Sequence, residues 1–193
     1  MEWKRVWKVG VGIALLMGGI ASGVELKDKT FYLGITGDYI KNHTWGAGEV
    51  SHYSGGGAKG GYYFIIPNAY GLGNRATLGI SIFNKYSRLS PSPQKYPTKI
   101  SDYFADLDWI YPVNAFFHPF FGVSYHYISF DMRGDKEVGW HGPGLRLGSL
   151  FYLWEHLELE IGGEYIWLGN KTDSNYPAET PTWKGSASLN FSF

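Results

Sequence analysis

The segment that decides the fold is Trp183-Lys184-Gly185-Ser186-Ala187-Ser188-Leu189-Asn190-Phe191-Ser192-Phe193. Apolar or small side chains occupy its odd positions, and polar side chains occupy its even positions. Alternation with a period of two is typical of a β-strand that has one apolar and one polar face. The segment therefore predicts a strand over residues 183–193.

The same alternation recurs in seven earlier segments. Their apolar faces carry, in chain order, Phe31, Leu33, Ile35 and Tyr39; Tyr62, Phe64 and Ile66; Leu78, Ile80 and Ile82; Tyr103, Leu107, Trp109 and Tyr111; Phe121, Val123, Tyr125 and Tyr127; Leu145, Leu147, Phe151 and Leu153; and Leu157, Leu159, Ile161, Tyr165 and Trp167. Eight such segments predict an all-β protein of eight antiparallel strands.

The opposite faces carry glycine, small polar residues and charges. The acids are Asp38, Asp102, Asp106, Asp108, Glu158, Glu160 and Glu164, the bases are Lys59, Lys85, Arg146 and Lys184, and His126 joins them. Charges held away from water must pair, so we expect a polar network with the multidentate Arg146 as its hub. The acids outnumber the bases, and three explanations are open. Some acids lie at the ends of the barrel in contact with water, some are protonated, or the interior admits water and a cation.

Composition limits the class of protein. The 193 residues carry 17 basic and 17 acidic side chains, contain no cysteine, and are 44% hydrophobic. A chain with no net charge lacks the excess of basic residues that is typical of nucleic-acid-binding proteins. Its hydrophobic fraction is too high for a disordered chain. The lack of cysteine excludes disulfides, thiolate metal clusters and thiol nucleophiles. We expect no metal and no cofactor.

The first 23 residues have the pattern of a secretory signal peptide. Lys4, Arg5 and Lys8 precede a twelve-residue apolar run at 9–20, and small residues follow at 21–23. A membrane-spanning helix needs ~20 apolar residues, so this run is too short to span. We expect a signal peptide at 1–23 and a single barrel domain at 24–193, with 14 basic and 16 acidic residues. A short N-terminal anchor is the alternative.

The connections distinguish between two kinds of barrel, because soluble and membrane barrels share the period of two with opposite polarity. The gaps after the odd-numbered segments span 42–56, 89–99, 134–138 and 170–182, and those after the even-numbered segments span 67–74, 113–117 and 155–156. Long loops at one end and short turns at the other are typical of outer-membrane barrels. The sequence therefore predicts an eight-stranded antiparallel up-and-down transmembrane β-barrel.

Two segments carry a resemblance to a known family. The last strand alternates Leu189, Phe191 and Phe193, and residues 119–125 read Pro-Phe-Phe-Gly-Val-Ser-Tyr. In these features the chain resembles the small bacterial outer-membrane β-barrel proteins of the opacity and outer-membrane protein X type. The resemblance implies a place in the bacterial outer membrane, contact with its lipid and lipopolysaccharide, and a last strand that the barrel-assembly machinery reads. Aromatic residues near strand ends fit an interfacial girdle: Trp109, Tyr111, Trp154, Trp167 and Trp183.

The most enzyme-like string is His52-Tyr53-Ser54, because small outer-membrane barrels include lipid A deacylases that use a His-x-Ser pair. In that family the pair lies on the penultimate strand, where this chain has Trp167 and Gly169. We expect His52-Tyr53-Ser54 to lie instead in the first outer loop, ahead of the flexible glycines 55–57. No catalytic residue is assigned.

The sequence favours a monomeric outer-membrane barrel with a structural or surface-interaction role, in which the extracellular loops form any ligand-binding surface. Because an eight-stranded interior is just wide enough for side chains to fill, we expect the lumen to be a plug. A lipid A-modifying enzyme and a narrow path for ions or water are the alternatives.

Overall fold

The computed structural model describes residues 27–42, 51–66, 71–85, 97–132, 138–169 and 180–193. The signal peptide predicted at 1–23 lies outside these ranges. Within them there is no helix long and apolar enough to cross a membrane.

Eight antiparallel strands close into a barrel in chain order. The strands are β1 (Thr30–Asn42), β2 (Ser51–Ile65), β3 (Gly73–Lys85), β4 (Pro97–Ile110), β5 (Phe117–Met132), β6 (Val138–Trp154), β7 (Leu157–Leu168) and β8 (Thr180–Ser192). Strand β8 pairs with β1 and completes the ring. The predicted eight-stranded antiparallel barrel is confirmed. We call the end with the short connections 66–72, 111–116 and 155–156 the turn end, and the opposite end the loop end.

Six strands begin earlier than the predicted gaps allow, and β2 differs most. Strand β2 starts at Ser51, so the prediction that His52-Tyr53-Ser54 and glycines 55–57 form a mobile loop is wrong. These residues pair with β1 on one side and, from Tyr53 onward, with β3 on the other. Hydrogen bonds on both sides satisfy the backbone and hold this glycine-rich segment extended. Strand β3 starts at Gly73, which brings Arg75 into the sheet.

The predicted apolar faces point away from the barrel axis. Leu78, Leu147 and Ile35 are 70%, 68% and 67% exposed, and the other strands present similar residues. A continuous apolar exterior is costly in water and favourable in hydrocarbon. The outward face is therefore the lipid-facing surface of a transmembrane barrel.

The interior is layered along the barrel axis. Apolar residues near the turn end form one cluster: Tyr32, Tyr63, Ile110, Phe120 and Leu150. Apolar residues near the loop end form a second: Ile40, Tyr53, Phe83, Ile100, Ile128, Trp140, Ile166 and Leu168. Most charged side chains lie between the two clusters, and Glu158 lies at the turn end beside Tyr63. The expectation that the inward faces are polar or small throughout is wrong, because both ends of the interior are apolar.

Inward glycines make room for aromatic rings that reach across the interior. A Cβ atom at Gly79 would lie 2.2 Å from the Phe104 ring, and one at Gly148 would lie 2.5 Å from the Phe120 ring. Both distances are too short for any side chain. Each ring thus fits in the narrow interior because a glycine lies beside it on the neighbouring strand.

Candidate functional site: a charged interior closed at both ends

The eleven residues predicted for the polar network are all buried inside the barrel: Asp38, Lys59, Asp102, Asp106, Asp108, His126, Arg146, Glu158, Glu160, Glu164 and Lys184. They come from every strand except β3. The side chain of Lys85, also predicted to point inward, lies outside the described part of the structure. The buried charges form two groups, one on the turn side and one on the loop side of the interior.

Arg75 is at the centre of the turn-side group, and the sequence analysis missed it. Its guanidinium is fully buried, 2.7 Å from the Asp108 carboxylate, 2.7 Å from Glu160 and 3.8 Å from Glu158. Arg75 shares the inward parity of Thr77, but it directly follows the predicted gap 67–74, where no apolar alternation yet marks the strand.

Arg146 has the multidentate role that was predicted for the hub, but shares it with Arg75. It pairs with Asp106, lies 2.9 Å from Glu160 and lies 3.2 Å from Asp108. Glu160 also accepts a hydrogen bond of 2.6 Å from Lys59. One carboxylate therefore receives three cations, from β2, β3 and β6.

Aromatic residues join this group to the turn-end cluster. The Arg75 guanidinium lies 5.5 Å from the Tyr32 ring and 5.2 Å from the Phe120 ring, within the range of cation–π attraction. The Tyr63 hydroxyl donates to Glu158. Arg75 and Glu158 are thus in contact with aromatic side chains of the turn-end cluster.

Lys27 closes the turn end ahead of β1. Its Nζ lies 2.5 Å from Ser192 Oγ, 3.5 Å from the Glu158 carboxylate and 4.8 Å from the centre of the Tyr152 ring. Burial lowers the pKa of Lys27, although the neighbouring Glu158 acts to raise it. The sequence analysis did not assign this residue to the interior.

His126 is at the centre of the loop-side group. Its two ring nitrogens each lie 2.8 Å from a carboxylate, Asp102 at Nδ1 and Glu164 at Nε2. Because an imidazole donates from both nitrogens only when it carries both protons, this arrangement fits an imidazolium. Lys184 binds Asp102 at 2.7 Å and lies 4.1 Å from the centre of the Phe104 ring.

A small cavity of about 20 Å³ separates the two groups. Its lining includes Asp106 and Ser188, whose Oδ1 and Oγ atoms have no hydrogen-bond partner among the described residues. The space suffices for about one water molecule. Asp106, His126 and Glu164 each bring one potential metal ligand within 4.8 Å of the others. A metal ion there would have to displace the salt bridges of all three, so the arrangement favours an ion-pair network.

The His-x-Ser string lies on the outside of the barrel. His52 and Ser54 share the outward face of β2, and the Tyr39 hydroxyl is bonded to His52 Nδ1. No described carboxylate contacts His52. Trp167, at the position that matches the deacylase histidine, is outward-facing and 45% exposed. The described residues do not assemble a hydrolytic site.

The residues predicted as an assembly signal line the outward face of β8. Leu189, Phe191 and Phe193 are 44%, 54% and 63% exposed. The Phe193 amide donates to the Phe31 carbonyl oxygen at 2.9 Å, across the seam where the barrel closes.

Comparison with known proteins identifies the architecture. No family model and no curated protein matches the sequence. Neisserial surface protein A superposes with a TM-score of 0.67 at 16% identity, covering 84% of this chain and 97% of its own. The fold is that of the small bacterial outer-membrane β-barrels.

Two further outer-membrane barrels agree with this assignment. OprG from Pseudomonas aeruginosa matches at 12% identity and a TM-score of 0.53, covering 89% of this chain and 99% of its own. Ail, the attachment invasion locus protein of Yersinia pestis, matches at 13% identity and a TM-score of 0.52, covering 86% and 100%. The predicted resemblance to small outer-membrane barrels is confirmed for the fold.

Proposed function

We propose that this chain is an exported, monomeric outer-membrane barrel with a closed lumen, and that its role is structural or lies in surface interaction through the loop end. The observation that carries the proposal is the layered interior. An apolar cluster lies near each end, Lys27 and Glu158 cover the turn end, and salt bridges fill the middle. An ion on this path would have to cross both apolar clusters and separate buried ion pairs, which are costly to break.

The loop end supplies the surface that is left for a partner. The barrel wall faces lipid, and the interior is filled. The connections at this end, residues 43–50, 86–96, 133–137 and 170–179, lie outside the described residues, and their length supports a binding role. Two barrels of the same fold bear the names surface protein and attachment invasion locus protein, which is consistent with this proposal.

Single-channel recording tests the closed lumen. The envelope-extracted protein is inserted into planar bilayers, and we expect no defined conductance steps. A barrel of sixteen or more strands recorded in the same bilayers is the positive control. Large, reproducible steps would contradict the closed lumen and favour the transport alternative.

A loop-shortened variant separates the structural role from the surface role. Residues 43–50, 86–96 and 170–179 are each replaced by a two-residue turn, and the gene is returned to a deletion strain. If the loops bind a partner, the strain stays deficient in adhesion although the barrel is present. If the role is structural, the variant restores envelope integrity. A change in the lipid A mass spectrum on deletion would favour the enzyme alternative over both.

A further inference from the structure

The outward face of β2 is unusual because its lipid-facing positions are small over four consecutive outward residues. Ser54, Gly56, Ala58 and Gly60 follow one another on this face, and the first three are exposed. Large apolar side chains flank Ala58 on both sides in register, namely Ile35 and Ile80, whereas Gly56 has Ile82 on one side and Gly37 on the other. We call this channel in the barrel wall the β2 trough.

The β2 trough has the dimensions of one acyl chain. The seven residues from Ser54 to Gly60 span about 20 Å, and a strand tilted by ~40° uses this length to cover about 15 Å of membrane depth. That depth is half of a hydrocarbon core of ~30 Å, so the trough extends over one leaflet. Toward the turn end it widens into a depression of about 640 Å³ beside Gly60, Ala76 and Ala105.

A second observation lies at the loop end of the β2 trough. Trp183, Lys41 and His52 are neighbours in register across β8, β1 and β2. Tyr165 of β7 extends the row, with its ring centre 4.7 Å from that of Trp183. All four residues have outward parity. We call them the cap row.

The cap row is suited to a lipid headgroup. Lys41 forms no salt bridge with a described residue, and its cross-strand neighbours are Trp183 and His52. Because the Tyr39 hydroxyl is bonded to His52 Nδ1, the imidazole Nε2 is left to donate toward the headgroup region. Lysine attracts anionic lipid, and amphipathic rings favour the membrane interface.

We propose that the β2 trough and the cap row together bind one phosphorylated, acylated lipid of the outer leaflet. An acyl chain lies in the trough, and the phosphate contacts Lys41 and His52. Within hydrocarbon the trough attracts the chain by close van der Waals contact on three sides, since no hydrophobic effect operates between apolar surfaces there. The proposal rests on the outer-membrane location given under Proposed function.

The test compares two lipids that differ only in the phosphate. The full protein is extracted in detergent from the envelope, and native mass spectrometry measures retention of dipalmitoyl phosphatidic acid and dipalmitoylglycerol. We expect the parent to retain the phosphorylated lipid about fivefold more strongly, the factor typical of one lysine near an anionic surface. Lys41→Gln should abolish this preference, and Lys41→Arg should keep it.

The acyl-chain part is tested by filling the β2 trough. Ala58→Leu should weaken retention of both lipids equally, because it obstructs the trough without touching the cap row. Val123→Leu, an outward enlargement on the opposite wall, is the matched control and should behave like the parent. Inorganic phosphate should not compete, since it has no chain to place in the trough.

Two failures are distinguishable. All variants are first checked for the compact gel band of a folded barrel. A protein recovered in the soluble fraction without detergent would contradict the outer-membrane location itself. A folded, membrane-extracted barrel in which the Lys41→Gln and Ala58→Leu variants retain both lipids like the parent would overturn the lipid site alone.

Discussion

At the scale of single residues, Arg75 has the strongest effect on the interior. Its guanidinium is fully buried, contacts Asp108 and Glu160, and lies against aromatic rings. Taking a cation out of water is unfavourable, and here the cost is offset by several carboxylates at once. The reverse also holds: Asp108 and Glu160 can be buried because Arg75, together with Arg146 and Lys59, compensates for their charge.

Replacing Arg75 by Met should lower the free energy of unfolding by about 3 to 5 kcal/mol, because it removes the main cation of the buried Asp108 and one of the three cations that contact Glu160. Urea titration of the barrel in lipid vesicles, followed by the gel shift of the folded form, measures this. The exposed Lys99→Met is the control and should change the free energy of unfolding by less than about 0.5 kcal/mol.

Adding Asp108→Asn to the Arg75→Met variant should recover part of the lost stability, since the carboxylate that loses its main cation becomes neutral. An Arg75→Met barrel as stable as the parent would mean that water reaches these carboxylates and that the interior is wet.

Individual interior residues could be predicted only where the alternation showed clearly which positions of a strand point into the barrel. The eleven predicted charges lie in well-defined alternating segments, and all are buried. Arg75 was missed because it follows the turn after β2 closely, where no apolar alternation marks the start of a strand. Ile40, Trp140 and Ile166 were missed because an apolar residue with inward parity looks like an interruption of the pattern.

At the scale of elements, β8 combines two different surfaces. Its inward face supplies Lys184 and Asn190 to the charged interior, and its outward face supplies Leu189, Phe191 and Phe193 to the lipid. It also pairs with β7 and β1, so the barrel cannot close without it. The family resemblance implies that the barrel-assembly machinery reads the outward face of this strand, and we propose that this recognition is separable from closure of the barrel.

Replacing Phe193 by Ser should reduce the amount of assembled protein severalfold while leaving the stability of the assembled barrel nearly unchanged. The reason is that an outward aromatic at the turn end contributes little packing, whereas the assembly machinery is proposed to read it. Phe31→Ser is the control, because Phe31 is similarly exposed at the same end, at 57% against 63% for Phe193. Both variants are quantified by surface labelling and by heat-induced gel shift. Equal surface levels of the two variants would argue against a special role for Phe193.

The strands could be predicted where they cross the hydrocarbon, because the membrane requires alternating apolar outward residues there. Their ends outside the hydrocarbon were harder to predict. Within hydrocarbon every outward position must be apolar or small, so the period of two is strict. The first residues of β2 lie at the loop end, where this constraint ends, and glycines 55–57 resemble a linker. Only the pairing partners in β1 and β3 make them a strand.

At the scale of the whole molecule, the barrel depends on one seam between the first and last strands. Ile35 of β1 is opposite Leu189 of β8 in the register, and both point outward. Antiparallel partners lie about 4.5 to 5.5 Å apart between Cα atoms, a separation that a disulfide can bridge. The sequence contains no cysteine, so an engineered pair has no competing thiols.

Cysteines at Ile35 and Leu189 should cross-link under mild oxidation in the assembled barrel and block its unfolding at the seam. The matched control places cysteines at Ile35 and Leu159, which are in register on strands separated by β8. These lie about 10 Å apart and should stay reduced. Non-reducing gels before and after heating give the readout. Cross-linking of the control pair, or failure of the Ile35–Leu189 pair, would contradict this register.

The ion pairs inside the barrel also constrain the order of events when the protein is made. Several partners lie far apart in the sequence. Glu160 follows Lys59 by 101 residues and Arg75 by 85 residues, and Lys184 follows Asp102 by 82 residues. Until the second half of the chain arrives, the first half would carry unpaired charges into hydrocarbon, where they are strongly disfavoured. Strands β1 to β4 therefore cannot insert one at a time as they emerge. The sheet must be nearly complete before it enters the bilayer, so insertion is a late and concerted step that a half-length chain cannot begin.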